Sequence, residues 1–293
     1  MKKYIAEIAG KDSIAAVMKF IRENSGSQDY SYPEKCSSQA AGVHRVCTDK
    51  SAGALQSSAV AQDRESKDAG IMIIPTIVYT GTEYGDKQSY YDSIEFLKRK
   101  GKENGVRFAD TIDLQDGRLW NLLCAKYQYL INRKYGFYPP CVACHMFAHL
   151  MRLPLLRKLE AEAIITGERH SHQGRLKANQ HPKTMECFRE IFEKNGVNMI
   201  KPLLEIEDTE MVNSEITDET VIEHANDVKC VLSGNLQGFD LKDNIDRLEL
   251  YLNDFLKPVG VFCAQAMLSG QDRQGCGSDW HDRLEEKIKE ILI

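Results

Sequence analysis

The chain has 293 residues, 42% hydrophobic and 28% charged, with a formal net charge of −5. This length can bury a full core, as one large domain or two unequal ones, and the composition excludes wholesale disorder. The acidic balance excludes a global field for nucleic acid but leaves room for a local basic patch. The longest apolar run, Ile71 to Tyr79, is too short to cross a bilayer and contains Pro75, so no membrane association is expected. Met1-Lys2-Lys3 leads straight into the first strand without a signal-peptide core, which points to a cytoplasmic protein. Nine unevenly spaced cysteines then argue for metal or sulfur chemistry rather than a disulfide framework.

The first segment, Tyr4-Ile5-Ala6-Glu7-Ile8-Ala9-Gly10-Lys11-Asp12-Ser13, is an apolar run broken at Ala9-Gly10. Ile14, Val17 and Met18 then take up helical spacing to about Glu23. The pattern reads as strand, tight turn and helix, and exposes backbone N–H groups to an anion. Lys11 adds a positive charge, and Asp12 or Ser13 can cap the helix. Residues 24–70 form a long polar insertion carrying Cys36, His44 and Cys47, by its length a lid, a partner surface or a partly ordered helix.

Ile71 to Tyr79 is the second strand, apolar as in a parallel sheet covered on both faces. It ends in Thr80-Gly81-Thr82-Glu83, where open α/β sheets bind ligands. A helix from about Ser89 to Gly101, a third strand from Val106 to Leu114 and a helix from Trp120 to Lys134 follow. Pro139-Pro140-Cys141-Val142-Ala143-Cys144-His145 then opens a helix reaching about Glu160. A Cys-x-x-Cys at a helix start has its thiolates stabilised by free N–H groups. The pair can be a redox dithiol, half of a zinc site, two ligands of an iron–sulfur cluster, or two packed thiols.

Ala161 to Glu168 is a fourth strand with a glycine exit at Gly167. The loop beyond it, Arg169-His170-Ser171-His172-Gln173-Gly174-Arg175-Leu176-Lys177-Ala178-Asn179-Gln180-His181, suits polyphosphate, because arginine offers fork-shaped donors. His170 and His172 lack a nearby third ligand. Val197 to Leu204 reads as the last strand. Cys230 precedes a glycine turn, whereas Cys124 and Cys187 fall in apolar helical patterns and are expected to be buried. Trp280 to Ile293 is an amphipathic helix, for core packing or a homodimer contact.

The Gly10-Lys11-Asp12-Ser13 turn resembles the PP-loop of the ATP pyrophosphatase superfamily (the adenine nucleotide alpha hydrolase-like group), which usually reads Ser-Gly-Gly-x-Asp-Ser. Ile8 and Ala9 stand where the serine and first glycine would be. The order of parts from Lys3 to Leu204 is similar to that superfamily, and Cys230 stands at about the spacing of the remote thiolate in its iron–sulfur tRNA thiolases. The resemblance implies a Rossmann-like open parallel sheet of the HUP type with helices on both faces. This nucleotide-binding domain would span residues 1–210, and a mainly helical region, 211–293, would pack on or cap the site.

By the same resemblance ATP and Mg²⁺ are held by Ala9, Gly10, Lys11, Asp12, Ser13, Gly167, Glu168, Arg169, Ser171 and Arg175, with Tyr79 and Thr80 beside the adenosine. A substrate oxygen is adenylated, pyrophosphate leaves, and sulfur from sulfide or a persulfide carrier displaces AMP. Lys11, Asp12, Cys141 and Cys144 are the implied catalytic residues. A 4Fe–4S cluster is implied on Cys141, Cys144 and Cys230, with Cys263 and Cys276 as rival third ligands. An amidating ligase with zinc on the cysteines and a non-catalytic nucleotide-binding module are the alternatives. The substrate is a tRNA base or a small molecule. For RNA, Arg99, Lys100, Lys102, Arg133, Lys134, Arg152, Arg157 and Lys158 are candidates for basic faces.

Overall fold

A computed structural model describes residues 1–25, 70–138, 140–172, 177–232, 241–270 and 279–293. Nearly all of the polar insertion with Cys36, His44 and Cys47, together with Arg175 and Cys276, lies outside the described residues. From the amino terminus the chain runs β1 (Lys2–Glu7), α1 (Lys11–Asn24), β2 (Ile71–Tyr79), β3 (Glu83–Tyr84), α2 (Gln88–Glu103), β4 (Arg107–Phe108), β5 (Ile112–Gln115), α3 (Gly117–Cys124) and α4 (Gln128–Tyr135). It continues through α5 (Pro140–Leu150), α6 (Leu153–Lys158), β6 (Ala163–Ile165), a 3₁₀ turn (Ala178–Gln180), α7 (Pro182–Glu193), β7 (Met199–Ile200), α8 (Thr209–Ile216) and α9 (Glu219–His224). β8 (Lys229–Cys230), α10 (Leu241–Tyr251), α11 (Lys257–Ser269) and α12 (Trp280–Leu292) complete it.

The expected α/β architecture with a parallel sheet is present. β1 is central, with β2 and then β4 and β5 on one side, and β6 and then β7 on the other, all parallel. The chain therefore winds outward from β1 in one direction, returns, and winds outward from β6 in the other. At such a reversal the loops leaving the two neighbouring strands diverge, and a crevice opens beyond their carboxyl ends. Here those ends are Glu7 and Ile165.

Side chains alternate across the sheet with the period of two that a strand imposes. Tyr4, Ala6, Ile73, Ile77, Ala163 and Ile165 face a core completed by α1, α2 and α8. Ile5, Ile74 and Ile164 face the larger core on the other side, which holds α3, α5, α7, α11 and α12. The carboxyl-terminal helices thus share a continuous core with the helices that follow β5.

Several elements are shorter or more broken than their periodicity predicts. The third strand is two pieces, β4 and β5, because the chain turns away at exposed Asp110, a poor strand former, before rejoining β2. The last strand keeps only Met199–Ile200. The helix expected from Trp120 to Lys134 divides into α3 and α4, where the Asn121 carbonyl accepts from both Ala125 N–H and Lys126 N–H. The long helix after Cys141 ends at Leu150, and Pro154, which has no N–H to donate, sits in the first turn of α6. Among the described residues no helix is long and apolar enough to cross a membrane.

α5, which carries the Cys-x-x-Cys, packs against α3, and α3 is tied to α12 by a polar clasp. Asp116 caps α3 by accepting from Leu119 N–H at 2.9 Å, and its other oxygen meets His281 Nε2 at 2.8 Å. The other ring nitrogen of His281 lies 2.9 Å from Asp279, the cap of α12. Burial alone would lower the His281 pKa, but Asp116 and Asp279 outweigh it and raise the value above that of a free histidine. The charged ring therefore stabilises the fold fully below its unfolded pKa of about 6.5 and loses that contribution as pH rises through the folded value. His281→Gln should cost about 1 kcal/mol at pH 6, and thermal melts across pH 6–9 should show the deficit narrowing upward.

Candidate functional site

The crevice between β1 and β6 holds a cavity of about 350 Å³, lined on one wall by Ala9, Gly10, Lys11, Asp12 and Ser13 and on the other by Gly167, Glu168 and Arg169. The two walls are in backbone contact. A Cβ placed on Gly167 would lie 2.5 Å from Ser13 N and 2.6 Å from the Asp12 carbonyl carbon, so only glycine fits there. Ser13 holds the turn closed, its hydroxyl accepting from Ala9 N–H at 2.9 Å and Gly10 N–H at 3.2 Å while donating to Gly10 O at 2.7 Å. Its side chain fastens the turn, and the amino end of the 14-residue helix α1 supplies the positive field.

Arg169 is buried and committed. Its Nε donates to Asp12 at 3.3 Å, Nη1 to the carbonyls of Ile206 and Glu207 at 3.3 Å each, and Nη2 to His172 Nδ1 at 2.6 Å. It clamps the two walls together with little of its fork left over. Of the cations that line the cavity, Lys11 and Lys177 have no ion-pair partner among the described residues. Lys177 is exposed overall, but its ammonium reaches far enough inward that loss of water pulls its pKa below the ordinary lysine value. Burial, then Lys177, likewise lower the His172 pKa, which keeps that ring neutral as an acceptor from Arg169.

The cavity floor is a buried polar network. Glu168 Oε1 lies 3.1 Å from His145 Nδ1 and 3.3 Å from His149 Nε2, and Glu168 Oε2 accepts from Gln180 at 2.9 Å. The second ring nitrogen of His149 faces Glu7 at 3.4 Å, and Asn179 holds the outer nitrogen of His145 at 2.8 Å. Arg152 backs Glu7 at 3.9 Å and donates to Thr76 at 2.9 Å. Burial would raise the carboxyl pKa values. Instead Arg152 and then His149 bring Glu7 to about 2, and the two histidines, His145 foremost, hold Glu168 well below the carboxylate range.

The thiols lie beside this cavity. Cys141 and Cys144 occupy the first turns of α5, just ahead of His145. Cys230 stands near enough to influence Cys141 electrostatically, placed there by β8, which pairs antiparallel with β3 and sets Cys230 opposite Glu83. That pairing depends on Gly85 (φ 104°), where a Cβ would fall 2.2 Å from the Asp227 carbonyl oxygen. The Cys230 sulfur contacts Thr82 Oγ1 at 3.1 Å and accepts from Leu232 N–H at 3.3 Å. Burial, then the neighbouring Cys144 and Cys230, push the Cys141 thiol up to about 11. Cys144 is pulled down to about 7 by a hydrogen bond from Cys124, with Trp120 N–H adding to it. Among the described residues no three cysteine sulfurs lie within 4.8 Å of one another.

Of the residues singled out from the sequence, Ala9 to Ser13 and Gly167 to Arg169 meet in one cavity. Ser171 is buried without lining it, and Tyr79 and Thr80 stand apart, Tyr79 against Tyr91 and Lys87, Thr80 bonded to Glu83. Cys263 is wholly buried in α11, and Cys124 and Cys187 are buried as expected. The basic faces are largely spent. Arg152 is interior, Arg99 pairs with Asp218, Lys100 with Glu103, Lys134 with Asp254, and Arg157 bonds the Leu268 carbonyl.

Glu7, His145, His149, Gln180, Thr209 and Asn226 were not singled out as site residues. Asn226 accepts from Lys11 N–H at 3.5 Å, and Thr209 starts α8. The His145-x-x-x-His149 spacing, continued by Arg152, was the available signal, a cationic stripe on an otherwise apolar helix.

No family model matches the sequence. Over 196 residues the chain is 30% identical to "Uncharacterized protein MJ0009" of Methanocaldococcus jannaschii, an alignment covering 64% of this chain and 69% of that protein.

The contact between the walls has a direct test. Gly167→Ala should cost about 1–3 kcal/mol in urea denaturation, because backbone must move to admit the methyl group. Gly117→Ala, where nothing lies within 4 Å of the added carbon, should leave the midpoint nearly unchanged.

Proposed function

This chain belongs to the family of MJ0009, and from its cavity we propose that it is an ATP-dependent sulfurtransferase of the PP-loop, HUP-type kind. The observation that carries the reading is one cavity joining a helix amino terminus, two lysines without an ion-pair partner among the described residues and an adjoining set of three cysteines. In this reading the N–H groups at the start of α1, with Lys11 and Lys177, hold the β- and γ-phosphates. Arg169 keeps Asp12 in place, and the Asp12 carboxylate would help hold Mg²⁺, which would spread the charge of the phosphates. A carbonyl or amide oxygen of the substrate attacks the α-phosphorus, the α–β P–O bond breaks, and pyrophosphate leaves. Sulfide then displaces AMP directly; with a persulfide carrier the terminal sulfur displaces AMP, and a second thiol cleaves the S–S bond so formed, releasing the thiolated product and leaving a disulfide with the carrier. A tRNA base and a small molecule both offer such an oxygen.

Cys141, Cys144 and Cys230 would hold a 4Fe–4S cluster. With three protein thiolates, the cluster would supply an open iron for external sulfide. That no three cysteine sulfurs among the described residues lie within 4.8 Å of one another supports a cluster over zinc. One zinc ion with Zn–S bonds of about 2.3 Å would draw its sulfurs to roughly 3.8 Å apart, whereas cluster thiolates each take their own iron and stand wider. Leu232 N–H at the Cys230 sulfur and Trp120 N–H at the Cys144 sulfur are donors suited to thiolate charge.

Two measurements test this reading. Lys11→Ala and Lys177→Ala should each weaken ATP binding about tenfold by calorimetry, the worth of one charge-assisted phosphate contact. Unchanged affinity in both variants would remove the phosphate assignment. Anaerobic protein reconstituted with iron and sulfide should be brown and contain both. The colour should be lost in Cys141→Ser, Cys144→Ser and Cys230→Ser and kept in Cys187→Ser. A colourless, iron-free wild type would defeat the cluster.

A further inference from the structure

We propose that His145, His149 and Glu168 form a site for a divalent transition-metal ion of the zinc class, on the floor of the cavity and separate from the cysteines. Among the described residues this is the one group of three histidine, cysteine or acidic side chains with ligand atoms all within 4.8 Å of one another. The edges from Glu168 Oε1 to His145 Nδ1 and His149 Nε2 measure 3.1 and 3.3 Å. Tetrahedral zinc, with bonds of about 2.0–2.1 Å to nitrogen and oxygen, sets its ligand atoms roughly 3.3 Å apart.

The outer partners fit as well. A metal-bound histidine presents its other N–H to a carboxylate or carbonyl, which fixes the tautomer. His149 has Glu7 at 3.4 Å on the far nitrogen, and His145 has the Asn179 amide at 2.8 Å on its own. With that amide turned to offer its oxygen, His145 Nε2–H donates and Nδ1 is left for the ion. Gln180 meanwhile steadies Glu168 from the side away from the histidines.

A simple ion pair accounts for less. His145 and Glu168 would satisfy each other, yet a second imidazole converges on the same carboxylate oxygen. His149 is fully buried, and among the described residues its ring nitrogens meet only the Glu7 and Glu168 carboxylates, at 3.4 and 3.3 Å and without good hydrogen-bond geometry. Buried polar atoms left in that state are costly, and a positive ion bound at His149 Nε2 satisfies that atom and fixes the tautomer that turns Nδ1–H toward Glu7. Two histidines and one carboxylate leave a tetrahedral ion one open position. Glu7, His145 and Glu168 all line the cavity, so that position faces whatever occupies it. The site stands whether or not the turn above takes a triphosphate.

The test uses the full chain, stripped by chelation and kept anaerobic, with Zn²⁺ alone as the probe. Cys141→Ser/Cys144→Ser protein should retain one tightly bound zinc per chain against a chromophoric chelator. Adding His145→Gln or Glu168→Gln should weaken it by at least about tenfold. Co²⁺ in the cysteine-substituted protein should give the intense visible bands of a tetrahedral nitrogen and oxygen site, with no sulfur charge-transfer band. His145 is partly exposed, so its variant is expected to fold, with circular dichroism as the control. Should it unfold, the Co²⁺ spectrum decides alone. Zinc lost with the two cysteines, affinity indifferent to His145 and Glu168, or an octahedral Co²⁺ spectrum would each overturn the proposal.

Discussion

The architecture of the site depends on one close approach, the strand exit at Gly167 lying flush against the first turn of α1. Parallel strands that wind outward in opposite directions send their following segments apart, and the crevice between them is ordinarily left open. Here the absence of a side chain at Gly167 lets the β6 exit reach the backbone of Asp12 and Ser13. Once that contact exists, Arg169 falls within reach of Asp12, and its remaining donors tie down the carbonyls of Ile206 and Glu207 ahead of α8. The cavity is therefore held from three directions, and its shape follows from backbone packing more than from flexible side chains.

A second constraint operates beneath it. Charged groups in a sheet interior are expensive unless matched, yet Glu7 ends the buried stretch of β1 after Tyr4, Ile5 and Ala6, and Glu168 follows the buried strand β6. The matching groups come from one side of α5 and the turn after it. His145, His149 and Arg152 recur at the four- and three-residue steps that place side chains above one another on a helix. Two carboxylates at neighbouring strand ends thus meet a stripe of three cationic or protonatable groups. The balance leans on geometry rather than on full hydrogen bonding, which is why His149 and one Glu7 oxygen remain unsatisfied.

What could be read from the sequence was local. The turn from Ala9 to Ser13 announces itself because its strand, glycine and helix are contiguous, and the same holds for Cys141-x-x-Cys144 at a helix start. Gly167 to Arg169 was legible as a strand exit, and its position opposite the turn followed from the order of strands. The rest depends on partners distant in the chain. Arg152 looks like a surface cation in its own window, and only the approach of Glu7, 145 positions earlier, makes it interior. Glu7 itself reads as an ordinary polar interruption of a strand. Asn226 and Thr209 enter the cavity from beyond the sheet, where no periodicity marks them. Strand lengths were overestimated for a related reason. Apolar runs such as Val197 to Leu204 record burial, and burial persists where ladder hydrogen bonding has ended.

α5 links the cavity to the thiols. Its first turns present Cys141 and Cys144, and the next residue, His145, already faces the cavity. Successive residues on a helix point about 100° apart, so one helix serves two chemically different neighbourhoods. The sulfur side looks toward Cys230 on β8, and the nitrogen side toward Glu168 beyond β6. Any rotation or slide of α5 would move both together. Its packing against α3, and the clasp of α3 to α12 through Asp116 and His281, therefore bear on the alignment of thiols and imidazoles with the turn above them. Helices far from the crevice in sequence are in this sense part of what sets its geometry.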